Sequence, residues 1–296
     1  MKQQAKPFVK WAGGKAQILD EIRAKYPTDF GGRVNKYAEP FVGGGAVLFD
    51  VLNRFDLSAV YISDVNRELI TTYKTARDSV DTLISILDEI EREYLPSDDD
   101  IRKKIYYAKR ERFNHLKAKN DETPEVAALF VFLNRTCFNG LYRVNAKGGY
   151  NVPQGSYKNP CICDEDNLRA VSEKLRGVEI VHGDYKLARD FIDERTFAYF
   201  DPPYRPLTAT ASFTTYAPDG FGDKEQTDLA RFIDEMSERG AWVVASNSDP
   251  KNTDENDDFF DKLYAKHAVL RIEANRAINS VGNGRGRVSE LLIARA

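Results

Sequence analysis

Short apolar segments alternate with longer amphipathic segments along most of the chain. The predicted strands are RVNKYAE, AVYISD, GVEIVHGD, FAYFDPP, AWVVASNS, HAVLRIEA and SELLIARA. Segments of helical period start at Ala46, extend from about Asn66 to Tyr94, and recur in DKEQTDLARFIDEMSERG and near Asp257 to Tyr264. This alternation predicts an α/β fold with a mainly parallel sheet and helices on both faces.

The alternation is interrupted between residues 95 and 177. This stretch begins with helical material and then becomes rich in Asn, Gly, Tyr and Pro, with no clear period after Asn139. We interpret residues 95–177 as a module inserted into an α/β domain formed by residues 1–94 and 178–296.

The composition is that of an ordinary soluble protein of one or two domains. No apolar run approaches the length of a membrane span, and MKQQAKPFVKW lacks a signal-peptide core, so we expect a cytoplasmic protein with no membrane partner. Cys161 and Cys163 are only one residue apart in a chain with three cysteines. They fit neither a disulfide framework nor a four-ligand zinc site, so we expect reduced thiols and no metal.

The charges are distributed unevenly. The formal net charge of −3 alone argues weakly against a nucleic-acid partner. No acidic residue occurs between Glu125 and Asp164, or between Asn275 and Ser289. The basic residues of these two intervals are Arg135, Arg143, Lys147, Lys158, Arg276, Arg285 and Arg287. Such segregation suits a basic surface for phosphate groups, whereas for the Lys/Arg-rich run at 102–119 we favour an ordinary solvated helix face.

Three glycines separate a predicted strand from a predicted helix in AEPFVGGGAVLFD. Absent side chains at Gly43, Gly44 and Gly45 would let a ligand approach the backbone, although tight packing alone also selects glycine at such a turn. Asp64 ends the next strand about twenty residues later, where a carboxylate can accept both hydroxyls of a ribose. Together these features predict a site for an adenosine-containing cofactor.

The glycine pattern favours a cofactor without a pyrophosphate. It differs from GxGxxG, and the chain has no GxxxxGK[ST] phosphate loop. S-adenosylmethionine has a ribose, an adenine and an amino-acid end that needs polar partners. In FVKWAGGKAQIL, Trp11 and Lys15 surround a glycine pair that precedes a predicted helix start at about Lys15. The Lys15 ammonium can meet the methionine carboxylate there, although a lone lysine is more often solvated surface.

The segment TFAYFDPPYRP ends a hydrophobic strand with an acid, two prolines and a tyrosine. Pro202 and Pro203 cannot donate to a sheet ladder and fix their own φ, so the strand at 196–200 must end before them. Open α/β sheets place ligands at the carboxyl ends of their strands, so Asp201 and Tyr204 would be held rigidly at an active site. An ordinary proline turn is the alternative.

Six motifs in a fixed order give the chain a family resemblance. They are KWAGGK, EPFVGGG, SDVN, FNGLYRVN, NVPQGSYKNP and FDPPYRPLTATASFTTY. In this order they resemble the DNA adenine N6-methyltransferases of the Dam type over nearly the whole chain. The resemblance implies a class I (Rossmann-like) S-adenosylmethionine-dependent methyltransferase sheet with an inserted helical DNA-recognition module. It also implies S-adenosylmethionine as cofactor and double-stranded DNA as partner, and we expect a monomer in solution.

The resemblance assigns roles to residues outside the inserted module. The cofactor-binding positions that it implies are Trp11, Lys15, Phe41, Gly43, Gly45, Asp64, Asp184 and Asp201. The catalytic positions that it implies are Asp201, Pro202, Pro203 and Tyr204. An adenine amine is a poor nucleophile because its lone pair is delocalised into the ring. Asp201 and the carbonyl of Pro202 would accept hydrogen bonds from this amine, and Tyr204 would stack on the flipped base.

The resemblance also implies DNA contacts, most of them in the inserted module. The implied positions are Lys10, Phe138, Asn139, Leu141, Arg143, Pro153 and Tyr157. Arg143 would bind a guanine, Leu141 and Pro153 a thymine, and Lys10 an outer guanine, which together fit a GATC-like site. Phe138 and Asn139 stand where the family places a wedge beside the flipped base.

Two features leave the full target sequence open. Ser156 stands where relatives often carry arginine, so contacts to flanking bases or phosphates, and a longer site, remain alternatives. The segment NSVGNGRGRV offers Arg285 and Arg287 for phosphate contacts, and a hairpin tip without a ligand is its alternative.

Other functions use related residues. Methylation of cytosine N4, of RNA adenine or of a protein glutamine amide employs a similar acid/Asn-Pro-Pro-aromatic segment. A cofactor-sensing DNA-binding protein without catalysis would not need Asp201 and Tyr204. An NAD dehydrogenase is disfavoured by the glycine spacing.

Overall fold

The structure is a computed structural model that describes residues 3–205, 221–275 and 287–295. The chain folds into two compact units. Unit 1 comprises Met1–Gly14, Gly43–Arg54 and Asp64–Gly183, and unit 2 comprises Lys15–Val42, Phe55–Ser63 and Asp184–Ala296. The predicted module at 95–177 falls within unit 1, and its boundaries stay a prediction.

The strands follow the sequence prediction closely. They are β1 Lys36–Glu39, β2 Ala59–Asp64, β3 Glu179–His182, β4 Thr196–Phe200, β5 Trp242–Ser248, β6 His267–Asn275 and β7 Arg287–Arg295. In the described part of the chain they form a seven-stranded sheet in the order β3-β2-β1-β4-β5-β7-β6. β1 is parallel to β2 and β4, and β4 is parallel to β5, whereas β7 is antiparallel to β5 and β6. The order 3-2-1-4-5 is that of a Rossmann-like sheet, which confirms the predicted fold class.

The two central strands bring polar residues to one end of the sheet. β4 is buried along its whole length, and β5 is buried except at its two ends, as expected for strands covered on both faces. Phe200 of β4 pairs with Ala245 of β5 in parallel register. The residues that follow each of them, Asp201 and Ser246, are therefore neighbours.

The helices agree with the predicted pattern except in one long segment. The α-helices of the described chain are α1 Leu19–Arg23, α2 Ala46–Arg54, α3 Arg67–Asp78, α4 Val80–Tyr94, α5 Asp99–Ala118, α6 Pro124–Thr136, α7 Glu165–Leu175, α8 Asp223–Glu238 and α9 Phe259–Leu263. Short 3-10 helices span Lys15–Gln17, Phe138–Gly140, Tyr185–Asp190 and Pro250–Asn252. The single helix expected from about Asn66 to Tyr94 is wrong: Ser79, with φ −145° and ψ 42°, separates α3 from α4. Serine favours helix ends because its hydroxyl competes for backbone hydrogen bonds.

Helix α6 is the centre of the helical part of unit 1. It is buried along most of its length and packs against α3, α4 and α5. A helix that is apolar nearly all round belongs in a protein interior. Asn134 and Thr136 are the buried polar residues of α6, and the Asn134 side chain binds the backbone of two other segments.

Two kinds of feature are absent from the described residues. None of the helices in the described ranges combines the length and the apolar character that a membrane crossing requires. The described residues also contain no group of three or more His, Cys, Asp or Glu side chains suited to a metal ion.

Candidate active site and DNA interface

The turn after β4 presents the carboxylate of Asp201 in an asymmetric environment within unit 2. Lys15 Nζ lies 2.8 Å from Asp201 Oδ1, and Ser246 Oγ donates a hydrogen bond of 2.8 Å to the same oxygen. Tyr199 Oη lies 2.9 Å from Ser246 Oγ. Among the described residues no hydrogen bond or ion pair falls on Oδ2 of Asp201. A carboxylate oxygen has two acceptor positions, so Oδ2 can serve a ligand.

Buried amide groups hold the backbone carbonyl of the second proline, Pro203. Gln226 is fully buried, and its Nε2 donates to the carbonyl oxygen of Pro203 over 3.0 Å. Asn247 Nδ2 in turn donates to Gln226 Oε1 over 3.0 Å. Because both amides are buried and hydrogen-bonded, the turn has little freedom to move. An ordinary proline turn, the alternative interpretation of this segment, would not require these buried hydrogen bonds.

Tyr204 is contacted at its hydroxyl and at its ring. The hydroxyl donates to Glu290 Oε2 over 2.9 Å, and Lys15 Nζ lies 4.8 Å from the ring centroid. Burial, followed by the nearby carboxylates of Asp201 and Glu290, raises the pKa of Tyr204 well above its usual range. The hydroxyl of Tyr204 therefore remains protonated, and a hydrogen-bond donor, at neutral pH.

Three of the predicted cofactor residues belong to unit 2 together with this turn, namely Lys15, Phe41 and Asp184. Lys15 is only 5% exposed, and its ammonium pairs with Asp201 rather than standing as solvated surface. Phe41 stacks on Tyr185, with 5.5 Å between ring centroids. Asp184 precedes Tyr185 and accepts a hydrogen bond of 2.9 Å from the backbone N–H of Lys186. The structure thus brings Phe41 and the Asp184–Tyr185 segment together.

Asp64 in unit 1 is a carboxylate bound by backbone amides. Gly43 N–H donates to Oδ2 over 3.2 Å, and Asn66 N–H donates to Oδ1 over 2.8 Å. Burial raises the pKa of Asp64 to about 6 although these amides oppose the rise. The amides hold the carboxylate at the end of β2, where the sequence predicted a ribose-binding acid.

Close packing requires glycine at two positions of the glycine loop, Gly43 and Gly45. Gly43 has φ +47°, and a Cβ on it would lie 2.7 Å from Trp11 Cδ1. Gly45 has φ +74°, and a Cβ on it would lie 2.5 Å from the hydroxyl of Tyr73. Larger residues would therefore strain the backbone and displace both aromatic rings. These contacts support the packing interpretation of the glycines, and they place Trp11 beside Gly43 as expected for one site.

The wedge candidates lie at the surface of unit 1. Phe138 is 52% exposed, and a few other large apolar side chains of the described residues, such as Leu187, are exposed to a similar extent. Asn139 is exposed and has φ 54°, a left-handed conformation that few residues other than glycine adopt. Phe138 N–H donates to the carbonyl of Pro153 over 2.9 Å, so the wedge and the second thymine-contact candidate are neighbours.

Asn134 joins Lys10 to the same surface. The backbone N–H of Lys10 donates to Asn134 Oδ1 over 2.7 Å, and Asn134 Nδ2 donates to the carbonyls of Lys10 and Gly140. Lys10 Nζ lies 4.1 Å from the ring centroid of Tyr157. Lys10, Tyr157 and the 3-10 helix Phe138–Gly140 therefore form one cluster within unit 1.

Arg143 lies in the loop that follows the 3-10 helix Phe138–Gly140. Its exposed guanidinium donates through Nε to Asn151 Oδ1 over 2.8 Å, and Asn151 N–H donates to the Arg143 carbonyl. Within the described ranges no acidic side chain forms an ion pair with Arg143. The carbonyl of Leu141 accepts a hydrogen bond from the hydroxyl of Tyr150 over 3.2 Å. Arg285 lies outside the described residues, and Arg287 is the first residue of β7.

Sequence reasoning missed the residues that support both sites. Ser246 lies within β5 and Glu290 within β7, each next to an apolar run, and a polar residue in such a place is a weak local signal, whereas Gln226 has none. In unit 1, Tyr106 Oη and Arg110 Nη1 of α5 both donate to the carbonyl of Val152. The basic run at 102–119 is therefore not merely a solvated face, because it holds the loop that carries the DNA-contact candidates.

Comparison with protein families decides the class of this chain. The model of the D12 class N6 adenine-specific DNA methyltransferases matches residues 11–278. The chain belongs to this family. It is an adenine-specific DNA methyltransferase, so it uses a methyl donor and acts on DNA, and the predicted resemblance, fold class and activity are confirmed.

Curated relatives match the chain from end to end. A type II methyltransferase, M.MjaIII of Methanocaldococcus jannaschii, is 47% identical over 292 residues, which is 98% of this chain and 99% of the relative. The DNA adenine methylase of Vibrio cholerae is 34% identical over 293 residues, or 99% and 96% of the two chains. That of Escherichia coli strain K12 is 33% identical over 285 residues, or 96% and 93%.

Proposed function

We propose that this methyltransferase transfers a methyl group from S-adenosylmethionine to N6 of an adenine flipped out of duplex DNA, within a GATC or GATC-like site. We further propose that it acts in the cytoplasm as a monomer. The observation that carries the proposal is the asymmetric environment of Asp201. Its Oδ1 is bound by Lys15 and Ser246, and no described residue forms a hydrogen bond or an ion pair with its Oδ2.

The asymmetry suits activation of an exocyclic amine. Oδ2 of Asp201 accepts one hydrogen of the amine, and the carbonyl of Pro202 accepts the other. Accepting both hydrogen bonds draws the nitrogen toward a tetrahedral, nucleophilic geometry. The prolines and the Gln226 amide fix the turn, so these acceptors are in place before the base arrives. Tyr204 stacks on the flipped base, and stacking worth about 1–3 kcal/mol per base offsets much of the cost of flipping.

The residues present fit S-adenosylmethionine in chemistry. When bound, this cofactor supplies an electrophilic methyl group. In unit 1 the half-buried carboxylate of Asp64 accepts hydrogen bonds from backbone N–H groups of described residues. The hydroxyls of a ribose would donate further hydrogen bonds to the ionised carboxylate. In unit 2, Asp184 would accept from the adenine amine, with Phe41 as an aromatic neighbour. An ammonium has three donors, so Lys15 can hold Asp201 and a methionine carboxylate together.

The exposed cluster of unit 1 fits the recognition of a guanine by Arg143. Its Nε is engaged by Asn151, which orients the guanidinium. The two Nη groups are those that contact O6 and N7 of guanine in a bidentate arrangement. Lys10, Leu141 and Pro153 are proposed to contact the neighbouring bases, and Phe138 is proposed to fill the place that the flipped base leaves.

The change Asp201→Asn tests the catalytic proposal. It keeps the volume of the side chain but turns one acceptor oxygen into a donor. We expect methyl transfer to a duplex substrate to fall by a factor of about 100 or more, the usual effect of losing one hydrogen bond to a reacting group. Duplex affinity, measured by fluorescence anisotropy, should change by less than about threefold, because base contacts are proposed to come from unit 1.

The control for this experiment is Asp56→Asn. Asp56 is an exposed acid of unit 2, so its replacement makes the same chemical change away from the turn. Its turnover should equal that of the wild type. Undiminished turnover in Asp201→Asn, with thermal melts showing both variants folded, would contradict the proposal.

A further inference from the structure

The hydroxyl of Tyr204 is bound by a residue from a distant part of the chain. Glu290 lies in β7, where it pairs in register with Ser248 of β5. Its Oε2 accepts the hydroxyl proton of Tyr204 over 2.9 Å. The ring of Tyr204 is thus held at its tip by Glu290, while the ammonium of Lys15 lies over the ring.

Glu290 is an unexpected residue at this position. The next residues of β7, Leu291, Leu292 and Ile293, are almost fully buried. A half-buried carboxylate beside such residues needs compensating partners. Among the described residues no basic side chain forms an ion pair with Glu290, and the hydrogen bond recorded for its side chain is the one from Tyr204. Within the described ranges, the hydrogen bond from Tyr204 is thus the polar contact that compensates this carboxylate.

We propose that Glu290 is a positioning residue that fixes the ring of Tyr204 in the orientation needed to stack on the target adenine. The inference rests on the proposed function, in which Tyr204 contacts the flipped base. A tyrosine ring anchored at its tip loses its rotational freedom when the protein folds, so it has less freedom to lose when the base arrives. Because Lys15 lies over one face of the ring, an anchored ring offers the base its other face.

The chemistry of the pair supports this role. A carboxylate is a stronger hydrogen-bond acceptor than a neutral group. Burial and two neighbouring carboxylates hold the pKa of Tyr204 well above its usual range, so the tyrosine stays protonated and the anchor persists across the working pH range. Asp201 takes no part in the hydrogen bond between Tyr204 and Glu290, because its own polar partners are Lys15 and Ser246.

The test compares Glu290→Ala, Glu290→Gln and Tyr204→Phe on a duplex that carries 2-aminopurine in place of the target adenine. Stacking quenches the fluorescence of 2-aminopurine, so a flipped base that stacks poorly is brighter. We expect Glu290→Ala and Tyr204→Phe each to brighten the flipped base. On an adenine duplex each should lower kcat about tenfold, as expected for one hydrogen bond to a charged acceptor, with a small change of KM. Glu290→Gln should recover most of the loss because its amide oxygen still accepts.

A double-mutant cycle separates positioning from general stability. If the hydroxyl and Glu290 act only through each other, Tyr204→Phe combined with Glu290→Ala should be no worse than either change alone. Losses that add, or a Tyr204→Phe enzyme with the kcat and fluorescence of the wild type, overturn the proposal. The matched control is Glu255→Gln, which removes the charge of an exposed glutamate of unit 2.

Two further outcomes keep this inference separate from the proposed function. If Tyr204→Ala leaves both fluorescence and kcat unchanged, the stacking role itself is wrong. If Tyr204→Ala is impaired while folded Glu290→Ala is not, only the anchor is wrong. Should Glu290→Ala fail to fold in thermal melts, Tyr204→Phe, which keeps the ring and removes only the hydroxyl, decides the question.

Discussion

Asp64 is subject to opposing influences that make its ionisation depend on pH near neutrality. Burial raises its pKa to about 6, whereas the backbone amides of Asn66 and Gly43 favour the charged form. The pKa in the folded protein is therefore above the ordinary value of 3.8. A raised carboxyl pKa stabilises the folded chain below about pH 4, and this contribution is lost as the pH rises through about 6. The proposed cofactor, S-adenosylmethionine, would have the opposite preference, because its ribose hydroxyls would donate to the ionised carboxylate.

We predict that the affinity for S-adenosylmethionine rises with pH up to about 6 and then levels off. Below that pH the affinity should fall by up to about tenfold for each pH unit, as protonation of Asp64 competes with binding. Calorimetric titrations from about pH 5 to about pH 8 measure this directly. Asp64→Asn should bind more weakly and lose the dependence. A variant that keeps the midpoint of the wild type would show that another group is responsible.

Single residues were predictable where their chemistry is unusual for their place in the sequence. Asp64 ends one apolar strand, and Asp201 and Tyr204 follow another, so the pattern alone places them at the edge of the sheet. Their partners were not predictable in the same way. Gln226 is one polar residue among many in α8, and only the fold brings its amide to the carbonyl of Pro203.

At the scale of elements, α5 acts as a support for a loop that has no regular structure of its own. Asn114 accepts from the backbone N–H of Tyr150 over 2.7 Å and donates to the carbonyl of the same residue over 3.0 Å. This paired arrangement is what a neighbouring strand would otherwise provide. The loop held in this way carries Arg143 and Pro153, so the accuracy of base recognition should depend on α5.

We predict that Asn114→Ala relaxes the choice of target site. The loop loses two hydrogen bonds, and discrimination against sites that lack the guanine should fall about tenfold, the lower end of the effect of a bidentate contact. Sequencing of methylated adenines in DNA from cells that express each variant measures the choice, and the wild type should mark GATC-like sites. Arg143→Ala should relax the same base position.

The matched control on α5 is Lys103→Ala. Lys103 is exposed on the same helix, and its replacement should leave the choice of site unchanged. If Asn114→Ala lowers methylation equally at all sites, α5 contributes only to folding or to non-specific affinity.

The elements themselves could be predicted where a local period exists. Strand β4 ends at Phe200, where the two following prolines require it to end. The division of the helical segment at Ser79 was missed because a serine within an amphipathic pattern is compatible with a continuing helix. The segment after Asn139 has no period to detect. Its conformation depends on side chains of α5, which are remote in sequence.

At the scale of the whole molecule, the distribution of charge matters more for DNA binding than its sum. The net charge is −3, yet the interval between Glu125 and Asp164 contains no acidic residue and belongs to unit 1. Most of the residues proposed to contact DNA lie in the same unit. Binding to DNA releases one counterion or so for each phosphate that a basic side chain neutralises. Affinity should therefore decrease steeply with salt in spite of the negative total.

We predict that Lys147→Gln and Lys224→Gln have different effects although both change the net charge equally. Lys147 is exposed in the acid-free interval, whereas Lys224 is exposed in α8 of unit 2. Lys147→Gln should reduce the slope of log affinity against log salt by about 1, with an equal loss for all sequences, and Lys224→Gln should not. Anisotropy titrations at several salt concentrations give the slopes. Equal slopes in the two variants would mean that the sum of charges governs binding.

The position of β7 determines when, during synthesis of the chain, Tyr204 can gain its contact with Glu290. β7 is later in the chain than β6 but lies between β5 and β6, and it supplies Glu290 to Tyr204. During translation the segments proposed to contact DNA leave the ribosome long before Arg287–Arg295 emerges. The ring of Tyr204 can therefore gain its hydrogen bond to Glu290 only after the segments that carry Arg143 and Asp201 have been synthesised.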